Sequence, residues 1–433
     1  MRIKPAKSLN GKIILPGDKS ISHRAILIAS LAEGRSVITN FSTGEDCAST
    51  VRCMRQLGVE IEQDGTSVMV RGVGKAGLRK ADGPLDCGNS GTTLRLLTGV
   101  LAGQNFDSIL TGDESLRKRP MGRIIEPLTQ MGAAITSDAG LAPLIITGRC
   151  PLKAIRYNTP VASAQVKSCI LLAGLNAAGG TTVTEDTWTR DHTELMLKSF
   201  GADIDVFGKP DGGTSIKILG ESILTGRDIE IPGDISSAAF FMVAAACLDG
   251  STLEIENVGV NPTRSAILDK MIRFGADVPI SSIKNTKFEP SADLTVNGRN
   301  ELVRKTESNL ISGVEIAGLI DEIPILAILG TQLDGGIEIR GARELRVKES
   351  DRITAIVENL RRMGGEIVEF DDGFKVSKSN LNGAVIDSHN DHRIAMAFAV
   401  AGLFASGETE INGTECVDIS FPGFFETLAS VVG

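Results

Sequence analysis

Two carboxylates, Asp321 and Glu349, stand among cations: the stretch around the second reads Arg346-Val347-Lys348-Glu349-Ser350-Asp351-Arg352. Cations mixed with hydroxyl and amide side chains recur elsewhere, each time where an apolar run begins. Lys19, Ser20 and Arg24 precede Ala25–Leu31, and Asn89, Gly91, Thr92 and Arg95 are followed by Arg117-Lys118-Arg119-Pro120. Ser163 and Gln165 share a segment with Thr189-Arg190-Asp191-His192, and Asp391-His392-Arg393 opens the last apolar run. Such a set suits a ligand carrying several negative charges. The two acids would be held ionised beside the cations, or used to move protons.

The elements that must position these residues are helix starts. In Leu15-Pro16-Gly17-Asp18-Lys19-Ser20-Ile21-Ser22-His23-Arg24 a strand is broken by Pro-Gly, and Asp18 or Ser20 can cap the next helix. Lys19 and Arg24 then lie near a helix N-terminus, where free N–H groups and the dipole already favour an anion. Each stretch alone has a simpler explanation: Asp321 and Asp391 as N-caps, Arg117–Arg119 as a solvated loop, and Lys348–Arg352 as a charged helix surface. Their recurrence at the same point of the chain's pattern favours a common anion site.

Other chemistries are poorly supported. Gly72-Val73-Gly74-Lys75-Ala76-Gly77 matches a dinucleotide fingerprint in letters, but Asp82-Gly83-Pro84 leaves no room for the helix it requires. Gly17-Asp18-Lys19-Ser20 lacks the glycines of a P-loop. The four histidines have no metal-ligand spacing, and there is no Gly-x-Ser-x-Gly elbow. Neither a metal nor an organic cofactor is expected.

A chain of 433 residues calls for two domains. Aromatic residues are only 4%, so the core must be aliphatic and alanine-rich, and a net charge of −9 without basic tails argues against nucleic acid. Seven cysteines without Cys-x-x-Cys spacing read as reduced thiols. No signal-peptide core or bilayer-length apolar run is present, so a cytoplasmic protein without membrane contact is expected, as a monomer.

An internal repeat organises the chain: polar cap, apolar helix, strand, amphipathic helix closing on Gly-Ala, and strands. The closing glycines Gly58, Gly132, Gly201, Gly275 and Gly364 recur at roughly 70-residue intervals, the last one longer. Six copies of a βαβαββ-like unit fit two α/β domains of three copies each, the sixth ending with the chain at Gly433. The near-duplicates Leu15-Pro16-Gly17-Asp18 and Ile231-Pro232-Gly233-Asp234 mark the crossings. One domain is expected at residues 20–232, and the other at 1–19 plus 233–433.

Taken together, Lys19-Ser20 with Arg24, Gly88-Asn89-Ser90-Gly91-Thr92, Arg119-Pro120, Ser163-Ala164-Gln165, Arg346–Arg352 and Asn390-Asp391-His392-Arg393 resemble the 5-enolpyruvylshikimate-3-phosphate synthase family, along the whole chain. The resemblance implies two inverse α/β domains with the active site in the cleft between them. It also implies transfer of the enolpyruvyl group of phosphoenolpyruvate to the 5-hydroxyl of shikimate 3-phosphate, through a tetrahedral ketal phosphate.

Residue by residue, it implies that Lys19 touches both substrates. Ser20, Arg24, Ser163, Ala164, Gln165, Asp321 and Lys348 would hold shikimate 3-phosphate, with Thr189 near its phosphate. Gly91, Arg119 and Gln165 would meet phosphoenolpyruvate, whose carboxylate would fall to Arg352 and Arg393; the herbicide glyphosate would occupy the same place. Asp321 would take the 5-hydroxyl proton, and Glu349 with Lys348 would manage the methylene proton.

Some positions depart from the pattern: Ala164 where many members have Ser, His192 for Tyr, Glu344 for Asn, and Ile419 where many carry a Lys. The Ser-Ala-Gln and Arg-Asp-His-Thr-Glu segments look like the family's second bacterial class. The sister UDP-N-acetylglucosamine enolpyruvyl transferases share the fold but have Lys-Asn at Lys19-Ser20 and usually a Cys in the Arg117–Arg119 loop. A non-enzymatic α/β repeat protein is the remaining alternative, and it would have no need of acids embedded among cations.

Overall fold

The structure is a computed structural model that describes residues 1–209, 212–284, 288–299, 302 and 308–433. The helices Lys19–Leu31, Gly91–Ala102 and Ala164–Gly174 are apolar on nearly all sides, which suits a helix only when it is surrounded by protein. They are buried along most of their lengths. Ile235–Cys247, Ile323–Gln332 and His392–Phe404 follow the same rule in the second half of the chain. Beside each trio lie helices with one apolar face, such as Glu45–Gln56 and Arg352–Arg362.

Two compact units result: Gly17–Ile231 with Lys287–Glu289, and Met1–Pro16 with Pro232–Thr286 and Pro290–Gly433. Each has its own hydrophobic core. Among the described residues the first holds three four-stranded sheets of one plan: a parallel pair, then two antiparallel neighbours. In one of them Ile229–Glu230 runs parallel to Glu33–Thr39, followed by Ser67–Val73 and Glu60–Asp64. The second unit repeats the plan with Asn10–Ile14 parallel to Thr252–Gly259 and with Leu310–Ile311 parallel to Ile337–Ile339. Its third sheet has three strands, Val385–Asp387, Thr409–Asn412 and Arg2–Ile3.

Three expectations need correction. The sixth copy does not end with the chain, because Arg2–Ile3 supplies its outer strand, pairing antiparallel at Ile3 with Thr409. The first crossing falls between Pro16 and Gly17, not after Lys19, since the Asp18 carboxylate accepts the Ile21 N–H at 2.9 Å and belongs to its helix. Gly17 is fixed in the same unit by close approach, as a Cβ there would lie 1.7 Å from the Asn40 carbonyl oxygen. The second crossing falls at Ile231, whose carbonyl accepts from Asn40 Nδ2 at 2.9 Å. Finally, Phe288 and Glu289 belong to the first unit, and the chain re-enters the second at Pro290.

The Gly72–Gly77 stretch is followed by no helix. It carries Lys75 to the end of Ala164–Gly174, where its ammonium donates to the Leu175 carbonyl at 2.9 Å. A cation at the unpaired carbonyls of a helix C-terminus is a stabilising arrangement.

Candidate active site

In the first unit the three buried helices all begin with a polar cap. Asp18, Ser90 and Ser163 accept from the N–H groups of Ile21, Thr93 and Val166. Lys19 is the first residue of its helix, and its ammonium lies 3.0 Å from Asp46. Arg24, one turn on, is buried, with Nη1 donating to the Ser20 carbonyl at 2.8 Å, Nε to Thr193 at 2.7 Å and Nη2 to Ser168 at 2.9 Å. Burial pulls its guanidinium down to about 10, against the attraction of Glu194. His23 lies on the same helix with Nδ1 2.7 Å from the Thr50 hydroxyl, and burial, then Lys19 and Arg24, hold it well below the usual imidazole range.

Arg119 is turned inward, with Nη2 donating to Asn89 Oδ1 at 2.7 Å and Nη1 to the Asn89 carbonyl at 3.3 Å. Its neighbour Lys118 behaves as the solvated alternative had it, pairing with Glu114 in the open. Gly91 opens the second helix, and a Cβ there would meet Arg95 Nη1 at 2.7 Å and Arg119 Nη1 at 3.5 Å. Its φ is not in the left-handed region, so guanidinium crowding rather than a turn keeps this position small. Arg95 in turn donates to Gln165 Oε1 at 2.7 Å, and Gln165 Nε2 donates to the Thr92 hydroxyl at 2.9 Å. Lys19, Arg24, Gly91, Arg119, Ser163, Ala164 and Gln165 therefore belong to helix starts or their side-chain partners, as the sequence implied.

Thr189 is tied to the protein. Its N–H and its hydroxyl both donate to Glu185, at 3.0 and 2.6 Å, so a phosphate near it would draw its donors from neighbouring groups. Glu185 also holds the Lys167 ammonium at 2.8 Å, and Glu194 holds it at 2.7 Å; all three are buried. For Lys167 the two carboxylates outweigh burial, and the ammonium titrates above its ordinary value. For Glu194 burial outweighs Lys167 and raises the acid. This triad was missed in the sequence. Its one signal is a lysine inside an otherwise apolar buried helix. His192 is buried as well, 2.7 Å from Glu289.

In the second unit Arg352 is the centre. It opens its helix almost fully buried, with Nε donating to Asp391 at 2.7 Å and Nη2 to Glu349 at 2.6 Å. Nη1 lies 3.6 Å from Asp321, and against the cost of burial these acids, Asp391 first, raise its pKa above the usual value. Asp391 also caps His392–Phe404 through the Arg393 N–H at 2.9 Å, so one carboxylate serves both cap and cation.

Asp321 is not a helix cap: Glu322 occupies that place before Ile323–Gln332. The Asp321 carboxylate faces Arg352 and, at 3.8 Å, Arg393 Nη2, while Arg393 Nη1 donates to its backbone carbonyl at 2.7 Å. Lys348 lies at the end of a short 3-10 turn. Burial, helped by Arg352 and opposed by Asp321, lowers its ammonium from the ordinary lysine value. An amine so placed gives up a proton more readily than a solvated lysine. Arg346 bridges Asp351 and Glu369 and is structural. Ile419 packs against the core, and Glu344 is exposed.

These groups can bind phosphates and a carboxylate through guanidinium forks and can exchange protons through Asp321, Glu349 and Lys348. A profile of the EPSP synthase family (3-phosphoshikimate 1-carboxyvinyltransferase) matches residues 3–428. The chain belongs to the EPSP synthase family. Among its relatives, the 3-phosphoshikimate 1-carboxyvinyltransferase of Geobacillus kaustophilus is 49% identical over 98% of both chains, and that of Desulforudis audaxviator is 50% identical over 100% of this chain and 99% of its own. The solved EPSP synthase of Acinetobacter baumannii superposes with a TM-score of 0.87 at 44% identity, covering 100% of this chain and 98% of that one. The enolpyruvyl transferase NikO from Streptomyces tendae shares the fold, at TM-score 0.79 and 18% identity over 99% of this chain and 96% of its own. The two-unit α/β architecture is thus that of the EPSP synthases.

Proposed function

We propose that this EPSP synthase family member is a 3-phosphoshikimate 1-carboxyvinyltransferase, transferring the enolpyruvyl group of phosphoenolpyruvate to the 5-hydroxyl of shikimate 3-phosphate. The observation that carries the reading is the full-length match to enzymes of that name. Lys19, Ser20, Arg24, Ser163, Ala164 and Gln165 hold shikimate 3-phosphate together with Asp321 and Lys348, with Thr189 shaping the phosphate region. Arg119 and the backbone at Gly91 meet the phosphate of phosphoenolpyruvate, and Arg352 and Arg393 its carboxylate.

Asp321 takes the proton of the 5-hydroxyl as that oxygen attacks C2 of phosphoenolpyruvate. Glu349 and Lys348 deliver a proton to the methylene carbon, giving a tetrahedral ketal phosphate. Phosphate leaves with its bridging oxygen and takes up the proton held by Asp321, while the methyl proton returns to the Glu349–Lys348 pair, which regenerates the double bond and both catalytic groups. Atoms balance without an oxidant or a nucleotide.

All seven cysteines are free, which supports a reducing cytoplasm. We take the working form to be a monomer, which sedimentation would check. The test of function is phosphate release: it should need both substrates, continue with a chelator present and without ATP, and not occur when UDP-N-acetylglucosamine replaces shikimate 3-phosphate. Activity with the nucleotide sugar, or none with shikimate 3-phosphate, would overturn the reading.

A further inference from the structure

A second charged cluster lies at the start of the fourth buried helix, where the sequence showed no cation. Arg264 is 3% exposed and Glu322 1% exposed. Arg264 Nη1 donates to Glu322 Oε1 at 3.1 Å, and Nη2 donates to the Ser236 hydroxyl at 2.6 Å and approaches Asp234 at 3.5 Å. The Ser236 hydroxyl donates to the same Glu322 oxygen. Asp234 caps Ile235–Cys247 through the Ser236 N–H at 2.8 Å.

Glu322 directly follows Asp321, and its N–H donates to Leu319 at 2.8 Å. The Asp321–Glu322 peptide is therefore gripped on both sides, by Arg393 at the Asp321 carbonyl and by Arg264 and Ser236 at the Glu322 side chain. Glu322 Oε2 is buried and accepts no hydrogen bond among the described residues.

We propose that Arg264, Ser236 and Glu322 form a buried clamp that fixes where the Asp321 carboxylate stands, making them positioning residues for the hydroxyl-activating step. The proposal rests on the reading of Asp321 given above. A base displaced by a fraction of the reacting distance loses much of its effect while the substrate still binds. The clamp should thus act on kcat and leave substrate affinity nearly unchanged.

The test is a double-mutant cycle on the full chain with Glu322→Ala, Asp321→Asn and the pair, measuring kcat, the Kd of shikimate 3-phosphate and the melting temperature. Glu322→Ala should lower kcat by about 10- to 100-fold with Kd changed by less than about threefold. The pair should be no slower than Asp321→Asn alone, since Glu322 acts only through Asp321. Glu322→Gln, which keeps an acceptor for Arg264 and Ser236, should stay within about threefold of the parent in kcat. If Glu322→Ala does not fold, Ser236→Ala is measured instead and should lower kcat by about three- to tenfold, again with no further loss on top of Asp321→Asn.

Parental kcat per folded molecule with only a lowered melting temperature, or losses that multiply in the pair, would overturn the clamp. Near-parental kcat in Asp321→Asn alone would instead overturn the reading of Asp321, so the two failures are told apart.

Discussion

Replacing Lys167 by Met should be the most costly single change in the first unit, and costly in a pH-dependent way. The ammonium lies 2.8 Å from Glu185 and 2.7 Å from Glu194 with no exposed surface, so solvent screening does not soften its loss. Removing one partner of a buried ionic group costs about 3–5 kcal/mol because a charge is left uncompensated. Here two carboxylates would remain, and the fold can tolerate them only by keeping a proton on one. Glu194 is already raised in the parent.

In Lys167→Met the folded acid binds protons more tightly than the unfolded one, whose pKa is about 4.3. Stability is then greatest below about pH 4.3 and falls as pH rises towards the folded value, by up to about 1.4 kcal/mol per pH unit. Urea unfolding of parent and variant at about pH 5.5 and about pH 8 measures this, with a probe in the first unit because a two-unit chain need not unfold in one step. The parent–variant gap should widen at the higher pH. The Kd of shikimate 3-phosphate should rise as well, since Thr189 and the Ser168–Thr193 contacts of Arg24 hang on the same helices. A gap below about 1 kcal/mol, or one independent of pH, would refute the reasoning.

Asp321→Asn keeps the shape and removes the base, so kcat should fall by about 10²–10⁴-fold with substrate binding far less affected; a folded variant with near-parental kcat would assign Asp321 to structure. Lys348→Arg replaces a depressed ammonium with a cation that stays charged. The alkaline limb of kcat, which should lie below the ordinary lysine range in the parent, should move up or vanish, and an unmoved limb would remove Lys348 from the proton path. Gly91→Ala places a Cβ against Arg95 Nη1, so Arg95 must shift and strain its bond to Gln165. The melting temperature should barely change, while the inhibition constant of the slightly longer glyphosate should rise by a larger factor than the KM of phosphoenolpyruvate; equal losses would contradict pocket crowding.

Much of this architecture could be read from the sequence because it is local. Each apolar run announces a buried helix, and Asp18, Ser90, Ser163 and Asp391 cap theirs as short polar side chains before such runs do. The Pro-Gly pairs stand beside Pro16 and Ile231, where the chain passes from one compact unit to the other. What stayed hidden depends on tertiary contact. The Lys167–Glu185–Glu194 triad joins three separate elements, and Arg264 reaches Glu322 across 58 positions. Nothing near Arg2 announces that it completes a sheet with Thr409–Asn412, since a two-residue strand has no periodicity to show. Asp321 misled as a possible cap because cap and base share one residue type, and only its place before Glu322, facing Arg352 and Arg393, separates the roles.

The central claim is that the shikimate oxygen attacks C2 of phosphoenolpyruvate and phosphate leaves with the bridging oxygen. Phosphoenolpyruvate labelled with ¹⁸O at that bridge, turned over with shikimate 3-phosphate and read by phosphorus NMR or mass spectrometry, tests it directly. The account predicts the label in the released phosphate and none in the enol ether product. Unlabelled phosphate, with ¹⁸O retained on the three-carbon unit, would mean that the P–O bond breaks instead and would contradict the assignment of Asp321, Glu349 and Lys348 to addition and elimination.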